Sequence, residues 1–390
     1  MISIDVARKW DRLLGIPICY FISVFRFFSK KKKFEKENVK QIIIIKMWGM
    51  GSLVLAGPAI NALKSNFPSA EISLLTLESN KGLLDWNSEI NSIYYFSLLS
   101  PFRLLVNSFK LIIWMWKRKP DLVIDFETAS RFTAILSFFN FKATTVGFSP
   151  AGSGKNIFDV TVPYHESVHV SNLFLRCVDA LGLPLSEKKM IQFPIQTNSK
   201  INVDNWLEIK KINKFVLLNP NTSNLALERL WPLEHFAKVI VLISELYPEL
   251  SIILIGNNLE YSRNEKVISL LDRNGSVVNS AGNFSVNELN YLIQKAEIMI
   301  TNDSGPAQLG FNSPTPTIAL YGPETPLLYG SENSLIHTNL TSHEPCSPCI
   351  SIFNDKVVYC NKNAVCMKNL SVDLVFETFK KSILLKQKSV

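Results

Sequence analysis

The sequence predicts an α/β fold of two Rossmann-like domains, each built on a parallel sheet. Three observations carry that expectation. Continuous apolar runs recur at Gln41–Lys46, Lys214–Pro220 and Ser251–Gly256, the pattern of strands buried on both faces. Each run leads into a glycine- or asparagine-bearing turn and then into helical spacing. Two such series are separated by residues 188–213, which hold Pro194, several charges and few core-quality runs. With 390 residues, 47% of them hydrophobic, the chain can fill two cores. The expected boundaries are 1–40 for a basic and apolar segment, 41–187 for the first domain and 188–213 for a bridge. The second domain is 214–370, and 371–390 is a C-terminal helix or tail.

The N-terminal segment comes first. Leu13–Phe28 is apolar but broken by Gly15, Pro17, Ser23 and Arg26, and Lys30–Lys33 follows at once. Such a run is short for a bilayer span, which needs about 20 residues. Asp11 and Arg12 precede it and no small-residue cleavage site is visible, so a signal peptide is not expected. The preferred reading is a helix lying in the membrane interface, its lysines on anionic head groups at about 1 kcal/mol each. A helix packed on the protein itself and a true span are the alternatives. Across the chain, 41 basic residues against 33 acidic ones leave a net charge of +8, which suits an anionic ligand or an anionic membrane. There is no RNA- or DNA-binding motif and no long basic helix, so nucleic acid is not an expected partner.

In the first domain, Gln41–Lys46 is a strand, Trp48-Gly49-Met50-Gly51-Ser52 a turn, and Leu53–Asn66 a helix with Leu53, Ala56, Ile60 and Leu63 on one face. Phe67-Pro68 ends it and Glu71–Thr76 is the next strand. The glycines do not form GxGxxG, so no dinucleotide site follows. Phe102–Lys119 reads as a helix with two tryptophans beside cations: either a core-facing helix of the sheet or a second interfacial patch. Pro120–Glu127 is a strand running into a turn, with Asp125 and Glu127 at its carboxyl end, where open α/β sheets place ligands. Either one of these acts as a general base, or Asp125 caps the next helix while Glu127 pairs with Arg131. Arg131–Ser137 is that helix and Thr144–Phe148 the following strand. The small, basic loop Ser149–Asn156 is placed to cover a sugar or phosphate, but it lacks the spacing of a P-loop. His169 opens a further helix, ended by Gly182.

In the second domain, Lys214–Pro220 is a strand and Asn221-Thr222-Ser223 its turn. Arg229-Leu230-Trp231-Pro232 then leads into the helix Leu233–Tyr247. Ser251–Gly256 and Val277–Gly282 are strands into turns, and Ser285–Glu288 is a capping box. Ile298–Ile300 is the last buried run before Asn302-Asp303-Ser304-Gly305-Pro306, a tight turn into a helix start. Free N–H groups there, with the Ser304 hydroxyl, make an anion site, and Asp303 either fixes a sugar hydroxyl or holds the turn. An ordinary Asn/Asp cap is the alternative. Cys346-Ser-Pro-Cys349, then Cys360 and Cys366, have the look of a structural metal site, though C-x5-C is looser than usual. A disulfide, disfavoured in a reducing cytoplasm, and free thiols are the other readings.

Asn302–Pro306 followed by the strand Thr317–Pro323 resembles the nucleotide-sugar site of glycosyltransferase family 9, the ADP-heptose:lipopolysaccharide heptosyltransferases. The likeness runs from about residue 40 to about residue 370. It implies a GT-B fold, two Rossmann-like domains facing across a cleft, and an inverting transfer from a nucleotide-diphosphate sugar to a lipid-linked saccharide. No cofactor or catalytic metal is implied, and the enzyme would be cytoplasmic and peripheral on the inner face of the plasma membrane. On that resemblance Asn219, Thr222, Ser223, Arg229, Glu260, Asp303, Ser304, Gly305 and Gln308 bind the donor, with Arg229 on the diphosphate. Gly51, Arg131 and His169 lie on the acceptor side. The family's first turn ends in Gly-Asp, a candidate base; here it is Gly51-Ser52, so the catalytic candidates are Glu127, then Asp125, with Ser52 in the family position. Gln308 stands where the family often has His. These two replacements favour a non-catalytic sugar-binding homologue, whereas the intact residues Asn221–Arg229 and Asp303–Pro306 favour an enzyme. A transferase using another nucleotide sugar is the rival within that class.

Overall fold

The computed structural model describes all residues except 1–3, 29–31, 86, 99–100, 150–156, 186–192, 224–225, 272–275, 355, 359 and 389–390. The chain divides into two units, Met1–Gln192 with Ser351–Lys356, and Phe193–Ile350 with Val357–Val390. The first contains α1 (Ile4–Phe28), β1 (Gln41–Ile45), α2 (Met50–Leu55), α3 (Gly57–Asn66), β2 (Glu71–Leu77), β3 (Ser92–Phe96) and α4 (Pro101–Arg118). It continues with β4 (Leu122–Asp125), α5 (Arg131–Phe138), β5 (Thr144–Phe148), β6 (Val160–Val162) and α6 (Val170–Asp179). Its strands form one parallel sheet in the order β3-β2-β1-β4-β5-β6. Ile42 to Ile45 of β1 are fully buried, because helices cover the sheet on both faces as a continuous isoleucine run requires.

One predicted helix is two. Leu53–Asn66 is split into α2 and α3, since Pro58 has no N–H to donate and its ring displaces the carbonyl one turn back. The helix restarts with that proline in its first turn, where the missing donor costs nothing. The short strands β3 and β6 were not legible in the sequence. Both are sheet edges and carry half-buried residues, so the buried-run signal is absent.

Helix α1 docks on α5 of its own unit. Gly15 touches the Arg131 side chain, and a Cβ there would lie 2.6 Å from it. Cys19 and Ile22 are buried with Ala134, Ile157 and Phe158. Asp11 accepts from the Phe132 amide (2.7 Å), and Arg26 pairs with Asp159 (2.5 Å). The opposite face of α1 stays in solvent, with Phe21 74% and Phe28 81% exposed. Among the described residues no helix is long and apolar enough to cross a membrane. Helix α4 is divided likewise: Leu111 and Met115 enter the core, while Leu105, Phe109 and Trp116 are exposed.

The second unit holds α7 (Thr197–Ile209), β7 (Phe215–Asn219), α8 (Leu233–Leu246), β8 (Ser251–Leu254), α9 (Tyr261–Ser269), β9 (Val277–Asn279) and α10 (Val286–Lys295). After these come β10 (Ile298–Asn302), α11 (Gly305–Phe311), β11 (Thr317–Leu320), α12 (Pro326–Tyr329), β12 (Thr338–Leu340), α13 (Val365–Lys368) and α14 (Val372–Lys388). Its parallel sheet has the order β12-β11-β10-β7-β8-β9. Much of the stretch expected to be a bare bridge is α7, which packs on α10 by burying Ser199, Val203 and Leu207. Its apolar residues are too few to have signalled a helix. Trp231, Phe236, Phe379 and Met367 lie at the centre of this unit's core.

Candidate active site

Each sheet has one switch point, where neighbouring strands send the chain toward opposite edges and leave a crevice at their carboxyl ends. In the first unit it lies between β1 and β4. The chain leaving β1 is Lys46-Met47-Trp48-Gly49, where Gly49 takes φ +82°, a conformation a side chain would strain. The chain leaving β4 is Asp125-Phe126-Glu127. Glu127 Oε1 accepts from Lys46 Nζ (2.7 Å), Met47 N (2.7 Å) and Trp48 N (2.8 Å). All three bonds converge on Oε1, and none uses Oε2. The carboxylate is therefore rigidly held by one oxygen at the mouth of the switch point. Burial pulls the Lys46 ammonium below its ordinary pKa, and the charge of Glu127 opposes that shift.

Asp125 plays a different part. It is fully buried, its Oδ1 accepts from the Glu127 amide (2.9 Å), and its Oδ2 is unpartnered. Burial pushes its carboxyl well above the usual carboxylate range, which favours the protonated form, and its Oδ1 fixes the backbone of Glu127. It is a positioning residue, not a free base. In the unfolded chain Asp ionises near about 3.9, so the protonated group stabilises the fold below that pH and loses its contribution as pH rises toward the folded value. Asp125→Asn, which keeps the carbonyl acceptor, is expected to match the wild type in thermal unfolding at acid pH. Its relative stability should grow as pH rises above about 4. Equal melting temperatures at all pH values would show that Asp125 is ionised.

Several expectations are corrected here. Glu127 does not pair with Arg131, and Asp125 does not cap α5; Ser130 does, accepting from Thr133 N. Arg131 is buried against α1, with its guanidinium on Asp11 (3.3 Å). His169 is also buried, and its Nδ1 caps α6 against Ser171. Gly51 lies in the first turn of α2, and the Ser52 hydroxyl is engaged with the carbonyls of Trp48 (2.8 Å) and Gly49 (3.0 Å). With no base beside it, Ser52 has no means of becoming a proton acceptor. Of the loop Ser149–Asn156, all but Ser149 lies outside the described residues.

The second switch point lies between β7 and β10. Asn219, at the end of β7, donates to Thr301 Oγ1 (3.0 Å) and Ser304 Oγ (2.9 Å). Thr222 Oγ1 donates to the Asp303 carbonyl (3.2 Å). Arg229 reaches Asp303 Oδ2 through Nη1 (3.3 Å) and Ser223 Oγ through Nη2 (2.7 Å). The expected surface pairing of Arg229 with Glu228 or Glu234 is not its fixing contact. Trp231 decides where Arg229 goes. Its ring is fully buried, its indole N–H donates to Leu370 O (2.8 Å), and its backbone N–H donates to Asn302 Oδ1 (3.1 Å). Ser304 is the N-cap residue of α11 but makes no side-chain cap bond, and Gly305 is the first helical residue.

Six of the predicted donor residues thus meet at one strand junction: Asn219, Thr222, Ser223, Arg229, Asp303 and Ser304. Two behave differently. Gln308 is buried and donates to the Tyr329 carbonyl (2.6 Å), which turns its amide into the α11 packing rather than toward the turn. Glu260 closes a capping box on the Asn257 amide (2.8 Å), and burial raises its carboxyl.

The sequence profile of Glycosyltransferase family 9 (heptosyltransferase) matches residues 114–357. The chain belongs to glycosyltransferase family 9. This transferase is 24% identical over 310 residues to the lipopolysaccharide core heptosyltransferase OpsX of Haemophilus influenzae, covering 77% of this chain and 84% of that protein. It is 24% identical over 352 residues to a lipooligosaccharide heptosyltransferase 2 of Campylobacter jejuni, covering 88% and 99%. The fold is that of an E. coli ADP-heptose lps heptosyltransferase II, with a TM-score of 0.70 at 16% identity over 90% of this chain and 100% of that one. A family 9 glycosyl transferase of Veillonella parvula gives 0.73 at 18% identity, over 90% and 99%. The two Rossmann-like units are therefore those of the GT-B class.

Sequence reasoning missed Lys46 in this family 9 enzyme, and it placed Asn221 and Asn302 in the site turns without giving them individual roles. Lys46 had a signal, a lysine closing an all-isoleucine strand, which must find an anion when it is buried. Asn221 is buried and donates to Ile255 O (2.9 Å) and Asn264 Oδ1 (3.0 Å), tying the β7 turn to β8. The four C-terminal cysteines line one cavity of about 50 Å³ together with Glu228 and Val365. None of the four is joined in a disulfide, contrary to that reading, and burial with the neighbouring thiols pushes Cys366 up to about 11. Among the described residues no three His, Cys, Asp or Glu side chains are placed to hold a metal ion. His165 and His169 are no exception: the first is exposed and the second is the α6 cap.

Proposed function

We propose that this family 9 transferase moves heptose, with inversion, from ADP-heptose to a lipid-linked saccharide of the lipopolysaccharide core. The relatives named above support the sugar and the acceptor class. The observation that carries the donor assignment is Arg229, held by Asp303 and Ser223 at the carboxyl ends of β7 and β10. A guanidinium fork held in this way suits the two phosphates of a nucleoside diphosphate. It stabilises the charge that develops on the leaving group, so no metal ion is required. In the first unit, Glu127 accepts the proton of the acceptor hydroxyl on Oε2 while Oε1 stays anchored on Lys46 and the β1 turn. The freed oxygen attacks the anomeric carbon, the bond to the diphosphate breaks, and ADP leaves. The enzyme works at the inner face of the plasma membrane, held peripherally by the exposed face of α1.

The test is release of ADP from ADP-heptose by the purified full-length chain, with core-truncated lipopolysaccharide as acceptor. UDP- and GDP-sugars run in parallel. Release that depends on both ADP-heptose and the lipid, and that persists in EDTA, is expected. Release from another nucleotide sugar alone would replace the donor, and tight binding without release would replace catalysis by sugar binding.

A further inference from the structure

The exposed face of α1 does not end with α1. Phe25 meets Phe138 at 6.1 Å between ring centroids, and Phe138 meets Phe139 (6.0 Å) and Phe141 (5.5 Å) just beyond α5. Phe141 is 59% exposed. The Trp116 indole N–H donates to the Phe139 carbonyl (2.8 Å) and so ties the end of α4 to the same cluster. Along α4, Leu105, Phe109 and Trp116 fall on one helical stripe; Leu105 is 72% and Phe109 64% exposed. These contacts link the exposed apolar residues of α1, through the phenylalanine cluster, to the end of α4. Those residues are far more than the scattered single ones normal on a soluble protein.

Apart from Asp5 and Asp11 at the start of α1, the charges of these segments have one sign. Residues 13–33, 101–119 and 138–143 contain no Asp or Glu. Lys33, Lys110, Lys117, Lys119 and Lys142 are exposed. Lys32 is folded back onto the carbonyls of Phe141 and Ala143. A protein partner of ordinary composition gives no reason for three such segments without a single acid. An anionic bilayer does: aromatic rings settle at the head-group level, and lysines gain about 1 kcal/mol each beside anionic lipid. We infer that α4 and the Phe138–Phe141 cluster form the second half of the membrane-binding surface, so that the N-terminal unit rests on an anionic bilayer through two helices. This rests on the peripheral membrane reading above and adds the second contact.

Co-flotation with phosphatidylcholine vesicles, with and without phosphatidylglycerol, tests it on the full-length chain. Wild type is compared with an α4 variant, Leu105→Asp with Phe109→Asp, and an α1 variant, Phe21→Asp with Phe28→Asp. All four positions are exposed, so the core is untouched. Both variants are expected to lose tenfold or more in partitioning to anionic vesicles, about the value of two buried apolar side chains. Brominated lipid should quench wild-type fluorescence more than that of Trp116→Phe. An α4 variant that floats like wild type while the α1 variant does not would overturn the second contact and leave the first. Wild type that floats with neither vesicle would overturn both. Flotation indifferent to phosphatidylglycerol would overturn the anionic partner.

Discussion

Arg229→Ala is expected to lower kcat/KM for the nucleotide sugar by on the order of 10²- to 10³-fold, the usual loss when one preorganised donor to a developing anion is removed. The guanidinium is bound on two sides, by Asp303 (3.3 Å) and Ser223 (2.7 Å), so it meets the diphosphate without first being ordered. Removal does a second harm. Asp303 is left uncompensated, and its charge repels the phosphates that Arg229 would have held. Arg229→Ala combined with Asp303→Asn should therefore recover part of the loss, although it restores no donor. Lysine at 229 should recover less than a conservative exchange suggests, because an ammonium cannot bridge Asp303 and phosphate as a fork does. Steady-state kinetics of the three variants decide the matter. An unchanged kcat/KM in Arg229→Ala would place the diphosphate elsewhere.

Glu127→Gln should reduce kcat by about 10²- to 10⁴-fold, the range for a lost general base, while leaving donor affinity unchanged. Gln keeps an oxygen for the three donors that converge on Oε1, so the turn after β1 should survive. What it lacks is a site for the proton. The same change removes the countercharge of a buried lysine, so Lys46, already depressed by burial, should be lowered further. Ser52→Ala is the control. Its hydroxyl only closes the first turn of α2, so kcat should fall little. Donor binding by calorimetry with single-turnover rates separates these outcomes. Full activity in Glu127→Gln would remove this residue from the chemistry and leave its anchoring of the turn as its role.

Much of this was readable along the chain. Ile42–Ile45, Phe215–Leu218 and Ile298–Ile300 announce strands covered on both sides, and the turns behind them announce ligand loops. Thr222, Ser223 and Ser304 were grouped from sequence by the turns they sit in, and the structure brings them to one strand junction. The errors lie with residues whose partners are distant. Arg131 looked like a partner for Glu127 four positions away, yet it belongs to Asp11, 120 positions earlier. His169 and Gln308 looked like ligand contacts; in the structure His169 caps α6 and Gln308 donates to the Tyr329 carbonyl, partners that sequence did not suggest.

The physical division is one of range. Periodicity, proline placement and turn chemistry act over a few residues, and they determined that this chain forms two parallel α/β sheets with loops at the strand ends. Charge pairing is set by which strands become neighbours. Placing β4 beside β1 brings Glu127 to Lys46 across 81 positions, and placing β10 beside β7 brings Asp303 to Arg229 across 74. Only the tertiary structure decided that Glu127 stands anchored and Asp125 buried, and that α1 spends one face on the protein and leaves the other in solvent. In each case the deciding cost is desolvation, which depends on what the fold brings alongside a residue and not on what precedes it in the chain.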